Sequence, residues 1–173
     1  CAESRETLGG TCLNVGCIPS KALLHGSELF EEAAHGVLAK FGVITGTPKL
    51  DLGRLQDEKA TAVKELTGGI EFLFKKNKVE WLKGLAAFKD AHTVEVGGKS
   101  VTARNLIIAT GSSVTPLPGV EVDNAKGIIV DSTGALLLKS IPKRMLVIGG
   151  GIIGLEMATV YSTLGTRIDV VEM

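Results

Sequence analysis

Two cysteines carry the most pointed chemistry in this sequence. Cys12 and Cys17 stand five residues apart in Gly9-Gly10-Thr11-Cys12-Leu13-Asn14-Val15-Gly16-Cys17-Ile18-Pro19-Ser20-Lys21. Two thiols that close a short loop can cycle between dithiol and disulfide. One thiol attacks a substrate disulfide and the other resolves the mixed disulfide, so unequal surroundings are expected. A helix is expected directly after the pair, and a helix N-terminus stabilises a thiolate through its dipole. Two buried structural cysteines also fit the spacing, because cysteine often serves as a small apolar side chain. Asn14 and Gly16 between them are poor core fillers, which counts against that alternative. A zinc site would need two further ligands at suitable spacing. Cys1, His25, His35 and His92 do not supply them, so no metal is expected.

A second constellation lies near the other end, where Val147-Ile148-Gly149-Gly150-Gly151-Ile152-Ile153-Gly154 fits G-x-G-x-x-G. The pattern is weak alone. Here it follows an apolar strand, opens a helix and leads to another strand, which is the context a dinucleotide site requires. Gly149 allows the tight turn, Gly151 lets the backbone approach a pyrophosphate, and Gly154 permits close helix–sheet packing. Gly150, Ile152 and Ile153 complete the turn. Glu172 ends the following strand, eighteen residues beyond Gly154. An acid there accepts hydrogen bonds from a ribose with a free 2′-hydroxyl and repels a 2′-phosphate, which favours NAD over NADP. A glycine turn in an unrelated α/β unit is the alternative.

The elements that must position these groups are legible from periodicity. Apolar residues recur at helical spacing from Lys21 to about Ala39, and again from Asp51, a plausible N-cap, to about Lys76, with Gly68-Gly69 a possible interruption. Residues 42–50 read as loop. The period then changes to two. Val79–Leu82 reads as a strand, and Thr93–Val96 with Lys99–Thr102 reads as a hairpin turning at Gly97-Gly98. Leu106–Ala109 is wholly apolar, as a strand buried on both faces would be. Ile128–Val130 reads as a short strand, and Asp131-Ser132 caps a short helix through Leu138. Met145–Ile148, Ile152–Leu164 and Arg167–Glu172 form a complete βαβ unit.

Composition narrows the function classes. Of 173 residues, 45% are hydrophobic and 22% charged, an ordinary globular balance. Nineteen basic residues against nineteen acidic leave no basic field, so neither nucleic acid nor an anionic membrane surface is an expected partner. No apolar run is long enough to span a bilayer. The chain begins at Cys1 and stops at Glu172-Met173 inside apparent secondary structure, so an internal piece of a longer protein is expected.

The segment Gly9–His25, together with Ile108-Ala109-Thr110-Gly111-Ser112 and Val147–Glu156, resembles the flavoprotein disulfide reductases along essentially the whole chain. Cys-Ile-Pro-Ser-Lys is similar to the lipoamide-dehydrogenase branch rather than to glutathione reductases. The resemblance implies an α/β fold. Residues 1–140 would be a Rossmann-like FAD-binding domain with a β-meander, and 141–173 the first βαβ of an NAD-binding domain. It implies FAD and NAD as cofactors. Cys12 would be the interchange thiol and Cys17 the charge-transfer thiol. Lys21 would lie near flavin N5, oriented by Glu156. Glu3 would hold the FAD ribose, and Gly9, Gly10, Thr11 and Cys12 would run along the FAD pyrophosphate and ribityl chain. Ala86 would touch the adenine, where the family usually has glycine. Thr110, Gly111 and Ser112 would line the FAD, and Ile152 takes the place of a gating tyrosine found in some relatives.

The implied reaction is oxidation of dihydrolipoamide, with electrons passing through Cys12–Cys17 and FAD to NAD, within 2-oxo acid dehydrogenase complexes. The implied partners are the lipoyl domain of an acyltransferase or the glycine-cleavage H protein, and a second copy in a homodimer. The implied compartment is the cytoplasm of a bacterium or the mitochondrial matrix of a eukaryote. The family's first FAD glycine motif, its His–Glu base and its dimerisation domain lie outside these residues, so the 173 residues alone are expected to be inactive. A mercuric or glutathione reductase, or a non-catalytic nucleotide-binding module, are the competing readings.

Overall fold

The computed structural model describes residues 1–172. Those residues form two compact units, one of Cys1–Asn14 with Val63–Ser113, the other of Val15–Ala62 with the chain from Val114 onward.

In the first unit, β1 (Ala2–Glu3) pairs in parallel with β2 (Leu82–Lys83), placing Glu3 opposite Lys83. Helix α1 (Gly10–Val15) follows β1 after a glycine turn and crosses into the second unit at its last residue. The antiparallel meander β3 (Ala86–Asp90), β4 (Thr93–Val96) and β5 (Lys99–Thr102) turns at Gly97-Gly98, where the alternating sequence demanded a hairpin. Leu8, ahead of α1, and Val96, in β4, are buried apolar residues of this unit.

In the second unit, α2 (Cys17–Ala34) opens four residues earlier than the apolar periodicity suggested. Pro19 lies within its first turn, where a missing N–H breaks no helical bond. A 3-10 turn (Leu38–Phe41) ends in the loop expected before Asp51. Helix α3 (Leu52–Lys76) runs without interruption through Gly68-Gly69, and the Asp51 carboxylate accepts the Arg54 N–H at 3.1 Å. Its residues from Val63 onward belong to the first unit. Short helix α4 (Ser132–Ala135) is capped by Asp131, which accepts the Gly134 N–H at 3.0 Å. It ends three residues before the expected Leu138.

The last segment is the βαβ unit that the sequence announced. β6 (Arg144–Ile148) and β7 (Arg167–Val171) pair in parallel, with Met145 opposite Ile168 and Val147 opposite Val170, joined by α5 (Ile152–Thr163). The core gathers Leu23, Leu55, Ala135, Leu136, Met157, Val160, Tyr161 and Leu164. Tyr161, 1% exposed, donates its hydroxyl to the Ala135 carbonyl, and burial pushes its phenol up to about 12.

Two expected strands are absent. Neither Leu106–Ala109 nor Ile128–Val130 joins a strand ladder among the described residues; the chain bends at Ile128-Ile129, where the Ile129 carbonyl accepts the Asp123 N–H at 2.9 Å. Ile107 is 90% exposed and Ile108 72%, the reverse of burial on both faces. An apolar run becomes a central strand only when neighbours supply its hydrogen-bond partners, and none of the described strands does so. Among the described residues no helix is long and apolar enough to cross a membrane, and no cluster of His, Cys, Asp and Glu could hold a metal.

Candidate functional site

The side chains with chemical potential fall into separate groups in the two units. In the second unit, α2 buries Ser20, Leu23 and Ser27, spaced three and four residues apart so that they share one face. The matching stripe on α5 is Met157, Val160 and Tyr161. Lys21 is next to Ser20 in sequence and Glu156 next to Met157, so both stand at the margins of packed faces. The Lys21 ammonium donates to one oxygen of the Glu156 carboxylate, and the buried Ser20 hydroxyl donates to the other. The hydrogen bond from Lys21 first, and that from Ser20 second, hold the Glu156 carboxyl below the usual carboxylate range. The Lys21 side chain is 62% exposed, which leaves its ammonium free to face a ligand while Glu156 orients it. The expected Lys21–Glu156 juxtaposition is therefore present. Ser20 was not singled out from the sequence as a site residue; its signal was its place in Cys-Ile-Pro-Ser-Lys, beside Lys21.

The fingerprint glycines serve three different ends. Gly149 has φ +107°, a conformation that side chains rarely adopt, and donates its N–H to the Val171 carbonyl at 2.8 Å. A Cβ on Gly154 would lie 2.1 Å from the Gly149 carbonyl oxygen, so close packing within the turn requires glycine there. Gly151 has neither reason: its φ is −68° and a Cβ would meet nothing within 4 Å. The open space at Gly151 fronts the start of α5, whose first amides have no acceptor within the helix. Ile152 and Ile153 stand exposed on that first turn. The Glu172 carboxylate accepts the Gly150 N–H, which brings the acid at the end of β7 to the glycine turn.

In the first unit, the other expected contact segments meet. The Thr11 hydroxyl accepts the Ser112 N–H and donates to the Ser112 carbonyl, both at 3.3 Å. A Cβ on Gly111 would come 2.6 Å from the Thr11 Oγ1, so this approach depends on glycine. Thr110 is exposed in the preceding extended segment. Asn14 was noted only as a poor core filler. Its amide donates to the Leu8 carbonyl at 3.1 Å and the Gly10 carbonyl at 2.8 Å, and its oxygen accepts the Thr7 hydroxyl at 2.6 Å. It thus fastens the Gly9-Gly10 turn from within α1, between the two cysteines. At Gly10 a Cβ would meet nothing within 4 Å, a second open cradle. Glu3 ends β1 and accepts the Arg5 N–H at 2.9 Å. Ala86 opens β3 opposite Val96, exposed.

Cys12 sits within α1, and Cys17 is the first residue of α2; both are exposed. Two buried core cysteines are thereby excluded. His25 is exposed on α2, and His35 and His92 lie against backbone carbonyls.

Comparison with known proteins gives the family of the chain. The family described as pyridine nucleotide-disulphide oxidoreductase matches residues 3–173. A dihydrolipoamide dehydrogenase of Chaetomium thermophilum is 56% identical over 99% of this chain and 34% of its own length. A mitochondrial dihydrolipoyl dehydrogenase of Schizosaccharomyces pombe is 51% identical, again over 99% of this chain and 34% of its own. Among solved structures, the HOCl-induced flavoprotein disulfide reductase RclA from Escherichia coli superposes with a TM-score of 0.73 at 27% identity, covering 98% of this chain and 35% of that one. The chain thus spans about a third of the length of the relatives it matches.

Proposed function

The chain belongs to the pyridine nucleotide-disulphide oxidoreductase family, and from that premise we propose that the whole protein oxidises dihydrolipoamide to lipoamide and reduces NAD. The two substrate thiols give up two electrons and two protons and become a disulfide. The Cys12–Cys17 disulfide takes up those electrons and opens to a dithiol. When bound, FAD would carry the two electrons from that dithiol to NAD, which would accept them as a hydride, with one of the two protons released.

The observation that carries the reading is the coincidence of a thiol at the N-terminus of α2 with the Lys21–Glu156 pair one turn along. Cys12, set within α1, is the sulfur that a substrate thiolate attacks, and the S–S bond to Cys17 breaks with Cys17 as the leaving group; the second substrate thiol then displaces Cys12 from the mixed disulfide. Cys17, the first residue of α2, is the sulfur that would face the flavin. Lys21 presents a cation that favours reduced flavin, and Glu156 holds it in place. The FAD fits the open cradle at Gly10, with Glu3, Gly9, Thr11, Ala86, Thr110, Gly111 and Ser112 as its further contacts. The NAD fits the open cradle at Gly151, with Gly149, Gly150, Ile152, Ile153 and Gly154 around the pyrophosphate and Glu172 on the ribose. Residues 1–140 are the FAD-binding part and 141–173 the start of the NAD-binding part.

The partners of this reading are a lipoyl domain of an acyltransferase or a glycine-cleavage H protein, and a second subunit. The compartment is reducing, a mitochondrial matrix or a bacterial cytoplasm. The test is Cys17→Ser in the full-length protein. We expect NADH-dependent reduction of lipoamide to fall by at least about a hundredfold, and the parent enzyme to prefer NADH to NADPH. Intact turnover of a disulfide acceptor by the variant, or a preference for NADPH, overturns the proposal.

A further inference from the structure

Ser20 has a role that neither the cysteine pair nor the charged pair accounts for. It is 6% exposed and lies on the face of α2 that packs against α5. A buried serine on a helix usually returns its hydroxyl proton to a carbonyl one turn back, as Ser27 does to the Leu24 carbonyl at 2.9 Å on the same helix. Ser20 instead donates across to Glu156, 136 positions away in sequence. Its own N–H closes the first turn of α2 by donating to the Gly16 carbonyl at 3.1 Å, so its Cα is fixed by the start of the helix that Cys17 opens.

A carboxylate held by one partner can rotate about its terminal torsion, which is broad. A carboxylate held at both oxygens by two neighbouring residues of one helix cannot rotate without breaking a charge-assisted bond. Ser20 is the rigid partner, being short and buried, whereas Lys21 is long and largely exposed.

We propose that Ser20 is a positioning residue, fixing the plane of the Glu156 carboxylate so that its second oxygen holds the Lys21 ammonium in one place. The structural part of this proposal stands without any bound group, while its consequence for turnover rests on the reading of Lys21 given above. Serine suits the position for a physical reason. Its hydroxyl is the smallest neutral donor, so it satisfies Glu156 without adding a second cation beside Lys21.

The test uses the full-length protein with Ser20→Ala and Ser20→Thr, the second keeping the hydroxyl. The readout independent of turnover is the carboxyl titration of Glu156, followed by NMR of the 13C-labelled protein and assigned with Glu156→Gln. In Ser20→Ala the Glu156 carboxyl is expected to titrate at higher pH than in the parent, and in Ser20→Thr at the parent's value. In lipoamide turnover, kcat is expected to fall about tenfold in Ser20→Ala with KM for lipoamide unchanged, and to be restored in Ser20→Thr. An unchanged Glu156 titration in Ser20→Ala overturns the proposal and leaves the reading of the enzyme untouched. A shifted titration in a parent protein without lipoamide activity supports the positioning role and overturns the enzyme reading instead. Should Ser20→Ala not fold, Ser20→Thr decides: a Glu156 titration moved upward there overturns the proposal.

Discussion

Thr11 and Ser112 are held face to face across 101 positions of sequence, the threonine hydroxyl accepting one backbone group of the serine and donating to the other. One side chain thus joins the first turn of α1 to the irregular segment at the end of the first unit. Gly111 permits the approach, since a Cβ there would strike the same hydroxyl at 2.6 Å.

Thr11→Val keeps the shape and removes both bonds. Each neutral hydrogen bond is worth about 1 kcal/mol net. FAD affinity of the full-length protein, measured by flavin fluorescence on dilution, is expected to weaken about five- to thirtyfold. An unchanged affinity would separate this contact from flavin binding.

Gly151→Ala and Gly154→Ala should divide cleanly. The second drives a Cβ into a backbone oxygen at 2.1 Å, an overpacking that costs about 1–3 kcal/mol, seen as a lower melting temperature. The first meets nothing within 4 Å. Its melting temperature should stay within a degree or so of the parent's, while the dissociation constant for NADH rises.

The alkaline limb of stability has two contributors with opposite signs. Lys59 is buried, donating to the Leu136 carbonyl at 2.5 Å and to the Gln56 side chain, and burial holds its amine below the usual lysine value. The unfolded chain therefore binds the proton more tightly, and stability rises with pH up to the unfolded lysine value. Tyr161 behaves conversely. Its phenol is raised from 10.0 to about 12, so the unfolded chain loses the proton first and stability falls across that interval. Chemical denaturation at stepped pH should show Lys59→Met abolishing the rise and Tyr161→Phe abolishing the fall.

On the acid side, Glu156 is held below the ordinary carboxylate value, chiefly by Lys21. Its contribution is present above the unfolded glutamate value and is lost as pH falls through the folded one. Glu156→Gln should flatten that part of the acid limb in urea melts.

What the sequence made legible was whatever its own neighbours determine. The hairpin at Gly97-Gly98, the capped start of α3 and the βαβ unit each declare themselves through local period and turn residues. Lys21 and Glu156 could be paired because a family resemblance supplied the long-range contact that periodicity cannot. Ser20 and Asn14 escaped notice because their work lies in where one hydroxyl and one amide point, and a serine or asparagine in a sequence carries no direction. Leu106–Ala109 misled for a related reason. Its composition reports what the segment is suited to, whereas a strand exists only when an edge is there to receive it.

That same run has a practical consequence for anyone handling the 173-residue polypeptide by itself. Leu106-Ile107-Ile108-Ala109 is uncharged, rich in β-branched residues and largely open to solvent. Such a ribbon adds itself to the edge of another copy, and stacking of this kind ends in precipitate. Yield from the soluble fraction should therefore fall with concentration. A lysine at Ile107 would act as a gatekeeper and keep the polypeptide dispersed.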